Sequence, residues 1–278
     1  MKKLLVPTDF SANSKAGVRF AIHWAAQQKL DLVFVHVLNI LRVSSWSGAY
    51  FAKYAAQEEN LCRSKFEKFI TDIYRKMNVK PGKYSIIIIQ AISADISILD
   101  YCRKNKGIDY ICISTRGAGT LKKIFGTNTG NLIIKSEVPV LAVPQNYKVA
   151  DVKSVLYATD LRNFTAEIKK VVAFAQPLKT SIEAVHFAWP DEITLYEKTI
   201  EAAFKKQFKY GLKLHVEKND GTLSLIENLE KQIRTRKPSV VTMFTNQKRT
   251  FFQKLFLSSK AEQLSFQAKV PLLVFNKK

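Results

Sequence analysis

Short apolar runs alternate with longer helical patterns through the first half of the chain. The runs at Lys3–Pro7 and Ile108–Ile113 are continuous and rich in β-branched residues, which is typical of strands buried on both faces. Three further strands are predicted at Asp31–Asn39, Tyr84–Gln90 and Pro139–Val143. Helical patterns between the strands cover residues 11–28, 50–77, 94–104 and 131–136. This alternation predicts an α/β fold with a doubly wound, five-stranded parallel sheet.

The same order of elements begins again in the second half. Val152–Asp160 repeats Met1–Asp9, so Asp160 occupies the position of Asp9. Two more matches follow in order: Ser181–Phe187 with Leu32–Leu38, where a shift of one residue sets His186 against His36, and Lys269–Val274 with Glu137–Ala142. Similarity that keeps its order along the chain indicates a duplicated domain. We therefore predict two tandem domains, 1–147 and 148–278, that meet in the polar stretch 145–149.

Composition agrees with a soluble globular protein of this size. A chain of 278 residues, 47% hydrophobic and 24% charged, has enough apolar residues for two cores and is not disordered. The apolar start at Leu4–Val6 is interrupted by Pro7, and no apolar run approaches the roughly 20 residues needed to span a bilayer. The expected location is the cytoplasm.

The net charge of +21 is large but evenly spread. Residues 1–147 carry 21 Lys and Arg against 10 Asp and Glu, and residues 148–278 carry 23 against 13. The sequence has no basic tail and no RNA motif with interleaved aromatic residues. A generally basic, solvated surface is therefore favoured over a dedicated nucleic-acid or membrane face.

Cysteine and histidine spacings predict no metal site. The three cysteines, at 62, 102 and 112, have no C-x-x-C spacing, so neither a disulfide framework nor a zinc site is indicated. The four histidines, at 23, 36, 186 and 215, lack the spacing of ligands. We expect reduced thiols and structural imidazoles.

A glycine-containing segment follows the strand at Ile108–Ile113. It reads S-T-R-G-A-G-T-L-K-K-I-F-G-T-N-T-G-N from Ser114 to Asn131 and leads into a helical pattern. Glycines between a buried strand and a helix let backbone N–H groups approach an anion closely, near the positive end of the helix. The segment therefore predicts a phosphate cradle, although for the glycines taken alone a strand-to-helix turn that needs positive φ is the favoured explanation.

The segment resembles the nucleotide loop of the universal stress protein family. That motif runs Gly, two residues, Gly, nine residues, Gly, then Ser or Thr. Gly117 matches the second glycine, Gly126 the third and Thr127 the hydroxyl residue, whereas Ser114 replaces the first glycine and eight residues, 118–125, form the spacer. The T-D after the first strand, the H-V after the second and the V-P strands complete a constellation that covers nearly the whole chain. It is similar to a tandem universal stress protein.

The resemblance implies a Rossmann-like fold of the adenine nucleotide alpha hydrolase type and a nucleotide site in the first domain. The implied site residues are Thr8, Asp9, Val37, Ile113, Ser114, Gly117, Gly126, Thr127 and Asn128. Asp9 would meet the ribose or adenine side and the backbone of Val37 the adenine, and the others would surround ribose and phosphates. Asp9 has an equally weighted alternative, which is to cap the first helix through its side chain.

The corresponding segment of the second half, residues 244–262, lacks these features. Ser258 and Ser259 replace Gly126 and Thr127, and no glycine occurs after residue 221. We therefore predict that the second domain does not bind ATP in the family manner. Four apolar side chains are expected to pack into its crevice or, alternatively, to line an apolar pocket: Phe251, Phe252, Leu255 and Phe256.

No catalytic motif is present, so the predicted function is binding or sensing. The leading hypothesis is a cytoplasmic stress-response protein that binds ATP, with Mg²⁺, in the first domain only. The alternatives are a scaffold that binds a protein partner or an apolar ligand, and a slow nucleotide hydrolase. The resemblance also implies that the two domains pair as an intramolecular pseudo-dimer, with homodimerisation left open.

Overall fold

The computed structural model describes residues 2–115, 127–188, 197–218, 222–223, 225–246 and 270–277. The described residues form two compact units, and the chain passes from the first to the second between Gln145 and Asn146. Each unit contains five parallel strands and its own helices.

The sheet of the first unit has five parallel strands in the order β3-β2-β1-β4-β5. The strands are β1 (Lys3–Pro7), β2 (Asp31–Leu38), β3 (Tyr84–Gln90), β4 (Ile108–Ser114) and β5 (Val140–Val143). The last four residues of β1 and every residue of β5 are buried, as expected for strands covered on both faces. The predicted bounds of β1 and β3 match the structure, whereas β4 continues one residue further, to Ser114.

Four helices connect these strands: α1 (Lys15–Gln28), α2 (Gly48–Met77), α3 (Ala94–Lys104) and α4 (Thr127–Lys135). α2 begins where the side chain of Ser47 accepts a hydrogen bond from the Tyr50 backbone N–H, and it ends at Asn78 in the left-handed conformation. α4 begins four residues before the predicted helical pattern, because its first turn is polar and carries no apolar periodicity.

The sheet of the second unit has the same topology, with the order β8-β7-β6-β9-β10. Its strands are β6 (Ser154–Ala158), β7 (Ser181–Ala188), β8 (Leu212–Lys218), β9 (Val240–Asn246) and β10 (Leu272–Lys277). Its described helices are α5 (Phe164–Ala175), α6 (Glu197–Phe208) and α7 (Leu225–Arg236). The predicted fold class, two doubly wound five-stranded parallel sheets, is confirmed.

Candidate functional site

A topological switch point lies between β1 and β4 of the first unit. The two strands are neighbours in the sheet, but the chain goes from β1 to β2 on one side and from β4 to β5 on the other. The connections diverge and leave a crevice beyond the carboxyl ends of these strands, where open α/β sheets bind their ligands. The segments predicted to bind nucleotide follow β1 and β4 and therefore converge on this edge.

Thr8 organises the turn that follows β1. Its backbone N–H donates to the carbonyl of Val35 at 2.9 Å, and its Oγ1 accepts from the Phe10 backbone N–H at 3.2 Å. The same Oγ1 lies 2.9 Å from Oγ of Ser14, in a buried hydrogen bond between the two hydroxyls. The side chain of Thr8 is thus committed to holding the turn, in which Phe10 has a left-handed φ of 62°.

Asp9 is exposed at the same edge. One carboxylate oxygen, Oδ1, accepts from the Ser11 backbone N–H at 3.0 Å. The residue flanking the start of α1 is Ser14, so Asp9 closes a local Asx turn ahead of the helix rather than capping it. The alternative prediction, that Asp9 caps the first helix through its side chain, is therefore wrong.

His36 packs against the turn from the end of β2. Its Nδ1 donates to the carbonyl of Thr8 at 2.8 Å, and its ring stacks on Phe10 with centroids 4.2 Å apart. Burial lowers the pKa of His36 below 6.5, although the hydrogen bond to Thr8 and the nearby charge of Asp9 oppose this shift. A neutral imidazole that supports the turn agrees with the structural role expected for this residue.

Val37 and Ile113 lie where their strands approach the crevice, and both are half-buried. The last pair between β1 and β2 joins Pro7 to Val35, so Val37 lies beyond the end of β1. Ile113 pairs with Ala142 of β5, one residue before the end of β4. The backbone of both residues is therefore close to the carboxyl edge, where a ligand would be held.

Ser114, at the end of β4, is buried against α1. Its Oγ accepts from the Gly17 backbone N–H at 2.8 Å and donates to the carbonyl of Ser14 at 3.1 Å. A Cβ on Gly17 would come within 2.8 Å of the Ser114 backbone nitrogen, so α1 passes over the strand at a distance that only glycine permits. The serine that replaces the first glycine of the family motif thus directs its hydroxyl to a helix.

The remaining predicted site residues belong to the segment after Ser114. Gly117 and Gly126 lie outside the described residues. Thr127 is the first residue of α4, and Asn128 is exposed in the first turn of that helix. The start of α4 is tied to the strand because Oγ1 of Thr129 donates to the carbonyl of Ser114 at 2.9 Å.

A buried carboxylate that the sequence analysis missed lies beside these residues. Asp95, in the first turn of α3, accepts from Oγ of Ser93 at 2.6 Å and from Nδ2 of Asn131 in α4 at 2.7 Å. Burial alone would raise the pKa of Asp95, but the hydrogen bonds from these side chains and from backbone N–H groups outweigh it and hold the pKa below 3.8. The Ser-x-Asp at the start of a predicted helix was the available signal.

The turn after β1 has a counterpart in the second unit with the same hydrogen bonds. Thr159 donates its backbone N–H to the carbonyl of Val185 at 3.0 Å, and its own carbonyl accepts from Nδ1 of His186 at 3.1 Å. Oδ1 of Asp160 accepts from the Arg162 backbone N–H at 3.1 Å, as Asp9 does from Ser11. The two turns are therefore structurally equivalent.

The end of the next strand differs between the units. Ile111 and Val241 each donate to a proline carbonyl at 2.9 Å, which makes Phe244 the counterpart of Ser114, three residues further on. Phe244 is buried and stacks on Phe275 with centroids 5.0 Å apart. An aromatic ring thus occupies the position that holds a small hydroxyl in the first unit.

A buried glutamate takes the place of Gly17. At the end of α1 the backbone N–H of residue 30 donates to the carbonyl of Ala25, and at the end of α5 the N–H of residue 180 donates to the carbonyl of Ala175. These equivalent bonds align Gly17 with Glu167, since both residues lie the same distance before the alanine. Glu167 is 4% exposed and accepts from the hydroxyl of Tyr157. Burial, followed by the charge of Glu167, raises the pKa of Tyr157. The second unit therefore lacks both members of the Gly17–Ser114 contact. Phe251, Phe252, Leu255 and Phe256 lie outside the described residues.

Fold and switch point define the first unit as an α/β domain of Rossmann-like topology. The family model described as the universal stress protein family matches residues 1–144, and the chain belongs to that family. No curated protein sequence matches this chain significantly. Within the described residues, no group of three or more His, Cys, Asp or Glu is arranged to hold a metal ion, and no helix has the length and apolar character to cross a membrane.

Two solved structures share the fold of this chain over nearly its whole length. A universal stress protein from Archaeoglobus fulgidus DSM 4304 is 16% identical with a TM-score of 0.69, and the match covers 99% of this chain and 96% of that chain. A chain from Pseudomonas aeruginosa UCBPP-PA14 described as a universal stress protein is 15% identical with a TM-score of 0.58, covering 99% and 93%. A universal stress protein in complex with cAMP is 17% identical with a TM-score of 0.34, covering 51% and 96%.

Proposed function

We propose that the first unit binds an adenine nucleotide at the carboxyl edge between β1 and β4, as part of a stress response. The observation that carries this proposal is the direction of the Ser114 hydroxyl, which is hydrogen-bonded to α1. The replacement of the first motif glycine is therefore accommodated by Gly17 rather than by the ligand side of the turn. The exposed carboxylate of Asp9 lies at the same edge.

Each remaining group has a chemical role in this proposal. The Asp9 carboxylate accepts a hydrogen bond from a ribose hydroxyl, and the backbone of Val37 reads the adenine edge. Gly117, Gly126, Thr127 and Asn128 hold the phosphates, with Mg²⁺ as a counter-ion for ATP, through backbone N–H groups near the start of α4. The second unit does not bind nucleotide in this way, since Phe244 and Glu167 replace Ser114 and Gly17.

The two equivalent turns provide a matched pair of variants. Asp9→Ala and Asp160→Ala each remove a carboxylate that accepts a hydrogen bond from the backbone N–H two residues further on, at 3.0 Å and 3.1 Å. Isothermal titration with ATP and Mg²⁺ should give about one site per chain. Loss of a charge-assisted hydrogen bond predicts about tenfold or greater weakening for Asp9→Ala. Asp160→Ala should bind as the native protein does.

The same titrations separate the alternatives. No heat of binding and no change of melting temperature with ATP would reject the nucleotide site and favour the scaffold hypothesis. If both variants bound ATP equally weakly, the loss of affinity would not be specific to the turn of the first unit, and the proposed site would be rejected. Phosphate release measured in the same samples, abolished by Asp9→Ala, would favour the slow hydrolase over a sensor.

A further inference from the structure

An open cavity of about 750 Å³ lies at the surface of the second unit, away from the carboxyl edge of its sheet, and the lysines that line it are exposed. Its walls are α6 and the amino ends of β7 and β8. Its volume falls within the range of about 300–1,000 Å³ that is usual for small-molecule sites. Four lysines line it: Lys179, Lys198, Lys205 and Lys213.

One face of α6 forms a wall of this cavity. Lys198, Glu201, Ala202 and Lys205 all line it, and their spacing of three, four and seven residues places them on the same side of the helix. Oε1 of Glu201 accepts from the Leu214 backbone N–H at 2.7 Å. Since β8 is the last strand of its sheet on this side, this bond satisfies an edge N–H and fixes α6 beside the strand.

The four lysines of the cavity outnumber the two carboxylates that line it, those of Glu183 and Glu201. Within the described part of the chain, none of the four ammonium groups takes part in an ion pair. Glu183, which also lines the cavity, is held by Arg236 at 2.9 Å and by Nε2 of His215 at 3.0 Å. Glu201 is engaged by the backbone of β8. An anion in the cavity would relieve the repulsion among the lysines.

We propose that this cavity binds a small molecule bearing two or more phosphate groups. Ammonium groups bind phosphate oxygens as point charges, and four lysines that line one cavity suit a ligand with several phosphates rather than a single carboxylate. Ile182 and Leu212 add apolar walls, so part of the ligand can be uncharged. This site belongs to the amino edge of the second sheet and does not depend on the nucleotide site proposed for the first unit.

The test is isothermal titration with sodium tripolyphosphate at constant ionic strength. The variant Lys205→Gln with Lys213→Gln removes two charges from the cavity, and we expect its Kd to rise about tenfold or more. The matched control, Lys206→Gln with Lys209→Gln, removes the same charge from neighbouring positions that do not line the cavity. Its Kd should stay within about twofold of the native value.

Three outcomes would overturn the proposal. Equal weakening by both pairs of substitutions would mean that the anion binds the general basic surface. No saturable binding of tripolyphosphate would reject the site, and binding confined to an RNA oligonucleotide would indicate a nucleic-acid surface instead. Circular dichroism and melting of each variant verify that the fold is intact. The titration of Asp9→Ala with ATP tests the first unit separately, so either proposal can fail alone.

Discussion

At the scale of single residues, the contact between Gly17 and Ser114 determines how closely α1 approaches the end of β4. A hydrogen bond of 2.8 Å joins the Gly17 backbone to the serine hydroxyl. A Cβ on Gly17 would lie within 2.8 Å of the Ser114 nitrogen and 3.0 Å of the Ile113 carbonyl carbon. Both neighbours are backbone atoms of a buried strand, so they cannot move without disturbing the sheet.

Gly17→Ala should therefore destabilise the first unit by about 1–3 kcal/mol, because the added methyl group forces the helix away from the strand. Urea unfolding followed by tryptophan fluorescence is the measurement. Trp24 of α1 is 1% exposed and lies against Tyr110 of β4, with ring centroids 5.1 Å apart, so it reports on this contact.

Gly48→Ala is the matched control for this substitution. Gly48 is the first residue of α2, and a Cβ placed there meets nothing within 4 Å. Alanine has the higher helix propensity, so we expect stability to be unchanged or raised by up to about 1 kcal/mol. A Gly17→Ala variant as stable as this control would show that α1 has room to shift.

At the scale of elements, Asp95 joins the first turn of α3 to α4. It accepts hydrogen bonds from Ser93, which immediately precedes α3, and from Asn131 of α4. Because its pKa lies below 3.8, the ionised form is favoured by folding. The stabilisation is fully present above about pH 4 and is lost as the pH falls through the folded pKa.

Asp95→Asn should destabilise the protein by about 1–3 kcal/mol at pH 7, since two hydrogen bonds to a charged acceptor are weakened. The difference from the native protein should shrink as the pH falls towards 3. Urea unfolding over this pH range is the measurement, with Asp100→Asn as control. Asp100 is on the same helix in an exposed ion pair with Arg103, which is worth less than about 1 kcal/mol. If the difference in the free energy of unfolding did not change with pH, ionised Asp95 would not be the source of the stabilisation.

At the scale of the whole molecule, the net charge of +21 produces self-repulsion, which ion pairs among the described residues offset only in part. The ion pairs of the first unit are mostly exposed, as in Arg75–Asp72 with 74% and 39% side-chain exposure. Salt screens repulsion between distant like charges, and because exposed ion pairs contribute little, their screening costs little stability. We therefore expect charge repulsion to lower the stability of the protein at low salt.

Raising NaCl from about 20 to 300 mM should increase the melting temperature by about 2–5 °C, because the Debye length falls below the spacing of most surface charges. Differential scanning fluorimetry is a sufficient measurement. KCl at equal ionic strength should give the same increase, since screening does not depend on the identity of the cation. A constant or falling melting temperature would show that the basic residues are already compensated.

Local patterns were sufficient for most of the architecture. The bounds of β1, β3 and α3 follow from apolar runs and helical spacing, and the second topology follows from the repeated order of elements. The position of Asp9 at the carboxyl edge of the sheet was likewise predictable, because Asp9 directly follows a buried strand in a T-D-F turn. The start of α4 was missed by four residues, since its first turn carries no apolar signal.

The sequence by itself determined the fold class and the family, and it predicted the edge of the first sheet that we propose as the ligand site. Only the tertiary structure decided that Ser114 directs its hydroxyl to α1, that Asp95 joins two helices and that four lysines surround one cavity. The physical reason is distance along the chain. Gly17 and Ser114 are 97 positions apart, and Asp95 and Asn131 are 36 apart. Hydrophobic periodicity describes neighbours within one element, whereas these contacts depend on how separate elements pack.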